Sequence, residues 1–292
     1  MTDHNDLEGL RPRLFGLAYR MLGSRQDADD AVQEGFARWY EHASGEIRSA
    51  EAWLVTVISR ICIDRLRTLS AERAHYTGPW LPEPLVEAGQ SPERGVELAS
   101  DLSLALLMVL ERLSPEERAA FLMHDVFDCA YADISRALGR TEAACRQLVH
   151  RARERVRSHK LRFDVPQDAH RQLVERYVQA VEERDPARLM ALLAPDAIFI
   201  SDGGGKTWAA RRPVLGAERI ARLDTGIARK LSGHYVLRVA TVNGRAGAIG
   251  YLDGRLFAVT SFDTDGDRIR SVMRVLNPDK LRHAFNAPMR LN

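Results

Sequence analysis

Residues 131–156 read YADISRALGRTEAACRQLVHRARERV, and the fold of the chain is decided here. Ile134 and Leu138 lie four apart, so they share one face of a short helix over 131–138. Gly139 follows with a residue that ends a helix in the left-handed region without a Cβ penalty. Thr141 offers a hydroxyl to cap a second helix, whose inward face is Cys145, Leu148, Val149 and Ala152. Thr141, Glu142, Ala143, Arg146, Gln147, His150 and Arg151 then lie at the N-terminal turns or face outward, where the second helix of a helix-turn-helix meets base edges. Arg bonds guanine in two places and Gln does the same with adenine. A solvated, arginine-rich helical hairpin would show the same polar face. The short first helix, glycine turn, capped second helix and basic extension together favour DNA.

Charge supports this locally. The whole chain of 292 residues carries only +2, yet Arg140, Arg146, Arg151, Arg153, Arg155, Arg157, Lys160 and Arg162 face only Glu142 and Glu154 between 140 and 162. Just upstream, Ser114-Pro115-Glu116-Glu117 reads as an N-cap, a first-turn proline and early acids opening a helix that carries Phe121 and Leu122. Residues 70–100 lose periodicity and collect glycines and prolines, which marks a linker. Within it, Trp80-Leu81-Pro82-Glu83-Pro84-Leu85 is too apolar for a freely solvated tether and reads either as a semi-rigid spacer or as a docking segment.

The N-terminal stretch is helical throughout. Leu14, Leu17, Ala18, Met21 and Leu22 repeat at helical spacing, as do residues 31–40, and Trp53, Leu54, Val57, Ile58, Ile61, Cys62 and Leu66 form another apolar face. After Pro166 the pattern becomes α-α-β-α-β-β-β-β. Helices are expected over 168–183, 186–193 and 216–231, and strands over 197–201, 235–242, 247–252, 255–262 and 268–276. Asn243-Gly244, Asp253-Gly254 and Asp265-Gly266 supply tight turns, so the last four strands should form an antiparallel meander. The fold class is therefore multi-domain: two all-α helical domains at 1–70 and 101–162, joined by a 71–100 linker, then an α+β domain at 168–285.

Hydrophobic residues at 45% and charged residues at 28% fit a folded protein with no wholesale disorder. No run reaches the ~18 apolar residues that span a bilayer, and the first ten residues lack a secretory layout, so no membrane association and a cytoplasmic location are expected. Cys62, Cys129 and Cys145 are distant and unpaired by motif, which indicates neither a disulfide framework nor a metal site. No cofactor is expected.

The run at 131–156, with HRAR ending at Arg153, resembles region 4 of the extracytoplasmic-function sigma factors. LFGLAYRMLGSRQDADDAVQEGFARWY resembles the start of their region 2, and AWLVTVISRICIDRLR resembles the region 2 helix that meets the downstream promoter element. The resemblance implies that core RNA polymerase and promoter DNA are partners. It implies that α-helical residues Asp27, Asp29, Asp30, Val32 and Gln33 dock on the polymerase clamp, that 46–53 form a loop capturing an unstacked base, and that Trp53, Thr56, Arg60 and Arg67 serve the minus-10 element. It also implies that the helix after Thr141 reads the minus-35 element. Many members carry Asn where this chain has Arg60, so the downstream contacts do not transfer at that position. Trp53, at the start of an amphipathic helix, is equally a core residue.

Residues 168–285 resemble the SnoaL-like or NTF2-like cone found on one group of these factors. The shared marks are WLPEPL, with Trp80, Leu81 and Pro82; Asp202-Gly203-Gly204-Gly205-Lys206; and Asn277-Pro278-Asp279-Lys280-Leu281. The resemblance implies an intramolecular, regulatory contact between this domain and the sigma core through those residues, with Lys206 reaching an acidic partner. The glycines before Lys206 lack phosphate-loop spacing. Asp202, His234, Asp253 and Asp263 are the candidates if the cone were an enzyme, but Asp253 and Asp263 sit at turns and His234 stands alone. The leading expectation is a non-enzymatic sigma factor modulated by its own C-terminal domain. The alternatives are a one-component helix-turn-helix regulator sensing a ligand through the cone, and an enzyme fused to a DNA-binding domain.

Overall fold

The computed structural model describes residues 4–42, 49–86, 103–159, 165–231, 235–282 and 284. They form two compact units, Met1–Ala74 with Leu106–Lys160 and His75–Ala105 with Leu161–Asn292.

The first unit is helical: α1 (His4–Leu22), α2 (Arg25–His42), α3 (Ala50–Ala74), α4 (Leu104–Leu110, which enters the unit at Leu106), α5 (Pro115–Asp125), α6 (Tyr131–Leu138) and α7 (Glu142–His159). The periodic apolar residues of α1 and α3 form its centre, with Leu14, Leu17, Met21, Leu54, Ile58 and Cys62 fully buried. Ser114 caps α5 in a reciprocal capping box with Glu117, which satisfies two backbone donors at the helix start. Gly139 stops α6 in the left-handed conformation at φ 61°, where a Cβ would be strained. The Thr141 hydroxyl accepts from Ala144 N at 3.2 Å and opens α7.

The second unit contains α8 (Gln167–Glu182), α9 (Pro186–Leu192), β1 (Leu193–Asp202), β2 (Val214–Leu215), α10 (Ala217–Lys230), β3 (Tyr235–Val242), β4 (Arg245–Leu252), β5 (Arg255–Thr264), β6 (Ile269–Val275) and α11 (Pro278–Leu281). One six-stranded sheet runs β2-β1-β6-β5-β4-β3. The expected meander of β3 to β6 is antiparallel, and β1 joins it parallel to β6. Helices α8, α9 and α10 cover the sheet through Tyr177, Val181, Leu189 and Ile220, with Tyr177 packed on Phe262 of β5. This is the expected α+β arrangement of helices against one sheet.

Two of the three hairpin turns follow their dipeptides, with positive φ at both Asn243 and Gly244 and at both Asp253 and Gly254. The third is longer than the two residues expected. Between Thr264 and Ile269 the Asp265 carboxylate accepts from Asp267 N and Arg268 N, so a side chain shapes the turn and only Gly266 needs positive φ. Short β2 and α11 were not expected; neither has enough residues to show a period.

The WLPEPL stretch belongs to the second unit as a docked segment without regular secondary structure. Val86 bridges Val242, Leu85 N donates to Asn243 Oδ1 at 3.1 Å, and Asn243 N returns a bond to Leu85 O at 2.7 Å. Leu81, Pro82 and Pro84 are buried, so the docking reading holds over the spacer reading.

Candidate DNA-reading surface and tether latch

Helix α7 buries Cys145, Leu148, Val149, Ala152 and Val156, and this stripe fixes which residues point outward. Thr141, Glu142, Ala143, Arg146, Gln147, His150 and Arg151 are all exposed. Arg146 lies over the Tyr131 ring at 5.2 Å and 3.4 Å from Glu142, so its guanidinium is braced at the helix start. Arg151 and Arg155 both bond Glu117 of α5, and Arg153 pairs with Asp125. Sequence periodicity missed Glu117, because it looks like any first-turn acid.

The four residues assigned to the minus-10 element are differently placed. Trp53 is half-buried and packs edge-on against the buried Trp39, ring centres 5.4 Å apart. Thr56 bonds its own helix at Ala52 O. Arg60 donates to the carbonyls of Ala137 (2.9 Å) and Arg136 at the end of α6, and Arg67 bonds Asp64 and Glu116. Glu116 also receives Arg140, two residues before α7. Both arginines of the α3 face are thus engaged by the helix-turn-helix unit in this conformation. Residues 46–48 of the base-capturing loop lie outside the described residues.

On α2, Asp29, Asp30 and Gln33 are exposed, and Asp27 accepts from Arg65 at 2.8 Å. Val32 corrects the docking expectation: it is 1% exposed and belongs to the core, because the apolar stripe of α2 passes through it.

The DGGGK and NPDKL motifs meet around one carboxylate. Asp202 ends β1, and Asn277 to Leu281 follow β6, the parallel neighbour of β1, so the sheet delivers both motifs to the same end. Asp202 is fully buried. Its Oδ1 accepts from Tyr76 OH (2.6 Å) and Gly204 N (3.0 Å), and its Oδ2 from Leu81 N (2.9 Å) and Lys280 Nζ (2.7 Å). Lys280 also donates to Leu81 O and lies 4.1 Å from the Trp80 ring centre. Asn277 caps α11 through Asp279 N and donates to Tyr76 OH at 2.9 Å. A Cβ on Gly204 would come 2.3 Å from Asn277 Nδ2, at φ +60°, so only glycine fits. Gly203 is buried and Gly205 exposed beside it, Pro278 is exposed at the start of α11, and Leu281 is buried. Burial, then the Asp202 contact, pushes the Tyr76 hydroxyl well above its ordinary value, so it stays a donor.

This placement sharpens the expectation for these motifs. Within the second unit they hold the linker, and the acidic partner of Lys206 is Asp279 from the same cone. Sequence reading missed Tyr76, which lies upstream of WLPEPL and belongs to no periodic pattern.

Among the described residues, the cone candidates do not assemble as a catalytic group. Asp202 is saturated by donors, Asp253 occupies a turn at φ 51°, and His234 lies outside the described residues. Asp263 is buried at an irregularity of β5, and burial pushes its carboxyl up to about 7. Deeper in the cone, Asp224 is held bidentately by Arg274 at 2.7 and 3.0 Å and receives the Tyr177 hydroxyl, while Arg274 also bonds Thr260. These groups neutralise one another inside the core. Among the described residues no cluster of His, Cys, Asp or Glu is placed to hold a metal ion, and no helix is long and apolar enough to cross a membrane.

Comparison with known proteins agrees with this architecture. Family models for Sigma-70 region 2 and Sigma-70 region 4 match residues 7–72 and 103–156. The chain is 36% identical to the ECF RNA polymerase sigma factor SigJ of Mycobacterium tuberculosis, over 94% of this chain and 92% of that one. It is 30% identical to the probable ECF RNA polymerase sigma factor SigI of the same species, over 93% and 92%. The crystal structure of Mycobacterium tuberculosis SigJ superposes with a TM-score of 0.79 at 34% identity, covering 99% of this chain and all of that one.

Proposed function

Because this chain belongs to the extracytoplasmic-function RNA polymerase sigma factors, we propose that it reads promoters through α7 and α3 and regulates itself by gripping its own linker. As a member of that family it directs core RNA polymerase to promoters and starts transcription. It works where polymerase works, in the cytoplasm, and catalyses no reaction of its own.

In this reading Arg146 and Gln147 meet minus-35 base edges, Glu142, Ala143 and His150 border them, and Arg151 approaches the phosphates. Exposed Asp29, Asp30 and Gln33 face the polymerase clamp. Arg60 and Arg67 serve the minus-10 region only after leaving the α6 carbonyls and Glu116, so polymerase or DNA must displace those partners.

The observation that carries the regulatory part is the Asp202 hub. A fully buried carboxylate holds Tyr76 and Leu81 of the linker, together with Lys280. The linker joins region 2 to region 4, and a chain segment held by hydrogen bonds at Tyr76, Leu81 and Leu85 has less reach than a free one. The cone therefore limits how the two reading regions can be spaced. It takes the place of a separate inhibitory subunit.

Run-off transcription with purified core polymerase tests this. Full-length Asp202→Asn, with its linker released, should initiate at a rate at least severalfold different from wild type while keeping the same promoter preference. Equal initiation by a variant whose linker has become protease-sensitive would reject regulation through the linker.

A further inference from the structure

Glu117 faces two arginines of the reading helix although it lies on a different helix. Only 5% of its side chain is exposed. Arg151 Nε donates to Glu117 Oε1 at 3.0 Å and Arg155 Nη1 donates to Oε2 at 2.6 Å. The two arginines are four residues apart, so they stand one turn above each other on the same stripe of α7.

The carboxylate itself is fixed. Glu117 Oε2 accepts from Ser114 N at 3.1 Å and Glu117 N donates to Ser114 Oγ, so swinging it away would undo the cap of α5. Burial alone would push its carboxyl up, but hydrogen bonds from Arg151 and Ser114 and the charge of Arg155 hold it below the ordinary range. It is charged whenever the protein works.

The Arg151 guanidinium has five N–H donors and gives one to Glu117. The side chains of Arg151 and Arg155 remain about half exposed, at 48% and 50%. A free arginine loses rotamer freedom when it is immobilised on a partner. Here that ordering has already happened on the protein side, and the half-exposed outer side of the Arg151 fork is open to an anion.

We propose that Glu117 is a positioning residue for promoter reading: braced by Arg155 on its other oxygen, it pre-orients Arg151 so that the outer N–H groups of Arg151 clamp the DNA backbone beside the bases read by Arg146. It touches no DNA and acts through Arg151. Backbone contacts fix the register in which a helix meets base edges, so loss of Glu117 blurs sequence discrimination. The inference rests on α7 being the reading helix.

The test uses holoenzyme assembled from core polymerase and the full chain, wild type, Glu117→Gln or Arg146→Ala. Gln preserves the capping box. The probes are a duplex recovered by enrichment with wild-type holoenzyme and a scrambled duplex of equal length and composition, each titrated over a range of salt. For Glu117→Gln the ratio of specific to scrambled affinity should fall roughly tenfold, with scrambled binding as tight as before or tighter, since a negative charge is gone. An equal gain on both duplexes means Glu117 only tunes charge, and an equal loss with a lower melting temperature means it is only structural; either overturns the proposal. If Arg146→Ala also leaves the ratio unchanged, α7 is not the reading helix. If Arg146→Ala lowers it and Glu117→Gln does not, the positioning role alone is wrong.

Discussion

Asp202→Asn replaces a buried carboxylate shared by four donors with a neutral amide, and its cost follows from what is left behind. Lys280, with 9% of its side chain exposed, loses the carboxylate it pairs with and keeps the Leu81 carbonyl and the Trp80 and Tyr76 rings. Stripping one partner from a buried ion pair costs about 3–5 kcal/mol because the other charge is stranded. The retained cation–π contacts are worth about 1–2 kcal/mol, which places this variant near the lower end, at about 3 kcal/mol. Lys280→Met should cost less, about 1–2 kcal/mol, since Asp202 keeps Tyr76 OH, Leu81 N and Gly204 N. The double variant removes the stranded ammonium and should be more stable than the sum of the single losses predicts, by at least about 1.5 kcal/mol. Urea unfolding of the full chain followed by tryptophan fluorescence gives the energies, and limited proteolysis at 76–86 gives linker release. Single losses below about 1 kcal/mol that simply add, with no new cleavage, would refute the reasoning that this pair holds the linker.

Arg60→Ala removes two bonds to the terminal carbonyls of α6; hydrogen exchange should speed up over 134–138 by severalfold with little change in global stability, as expected for exposed charged bonds of about 1 kcal/mol. Asp263, raised to about 7 by burial, contributes stability that is complete below its unfolded value near 4 and fades as pH rises through 7. The urea midpoint of wild type relative to Asp263→Asn should therefore fall between pH 5 and pH 8. His170, held below its ordinary value by burial while bonded to Thr264 and Ala246 O, acts oppositely: its contribution is complete above about 6.5 and is lost as pH falls. His170→Gln should weaken the acid-side loss in the same titration. Arg274→Met strands Asp224 in the core and should cost about 3–5 kcal/mol, whereas adding Asp224→Leu should recover much of it, read by thermal melting.

Helices and strands with long, one-sided apolar patterns were legible in the sequence, because burial writes a period into them. α7 and the β3–β6 meander are the clearest examples, helped by Gly139, Asn243-Gly244 and Asp253-Gly254, whose backbone needs are local. Short β2 and α11 were not legible: two and four residues carry no period. Polar contacts across the chain were legible only where a run of unusual residues announced them. Asp202 and Lys280 were singled out by their motifs, but their partner Tyr76 was not, since it is 126 residues from Asp202. Likewise Glu117 looked like an ordinary helix-start acid until α7 was folded against it, and Val32 looked like a docking residue until α2 turned it inward. The pairing of Asp224 with Arg274, 50 residues apart, leaves no trace in either local pattern.

The central claim is that this chain gives core polymerase its promoter preference, reading the upstream element with α7. Enrichment of random-sequence DNA with core polymerase alone, the chain alone, and the two together tests it most directly. The account predicts a motif of two separated blocks only when both are present, with Arg146→Ala losing the upstream block and keeping the downstream one. A single block recovered equally well by the chain without polymerase would contradict it and mark a regulator that acts alone.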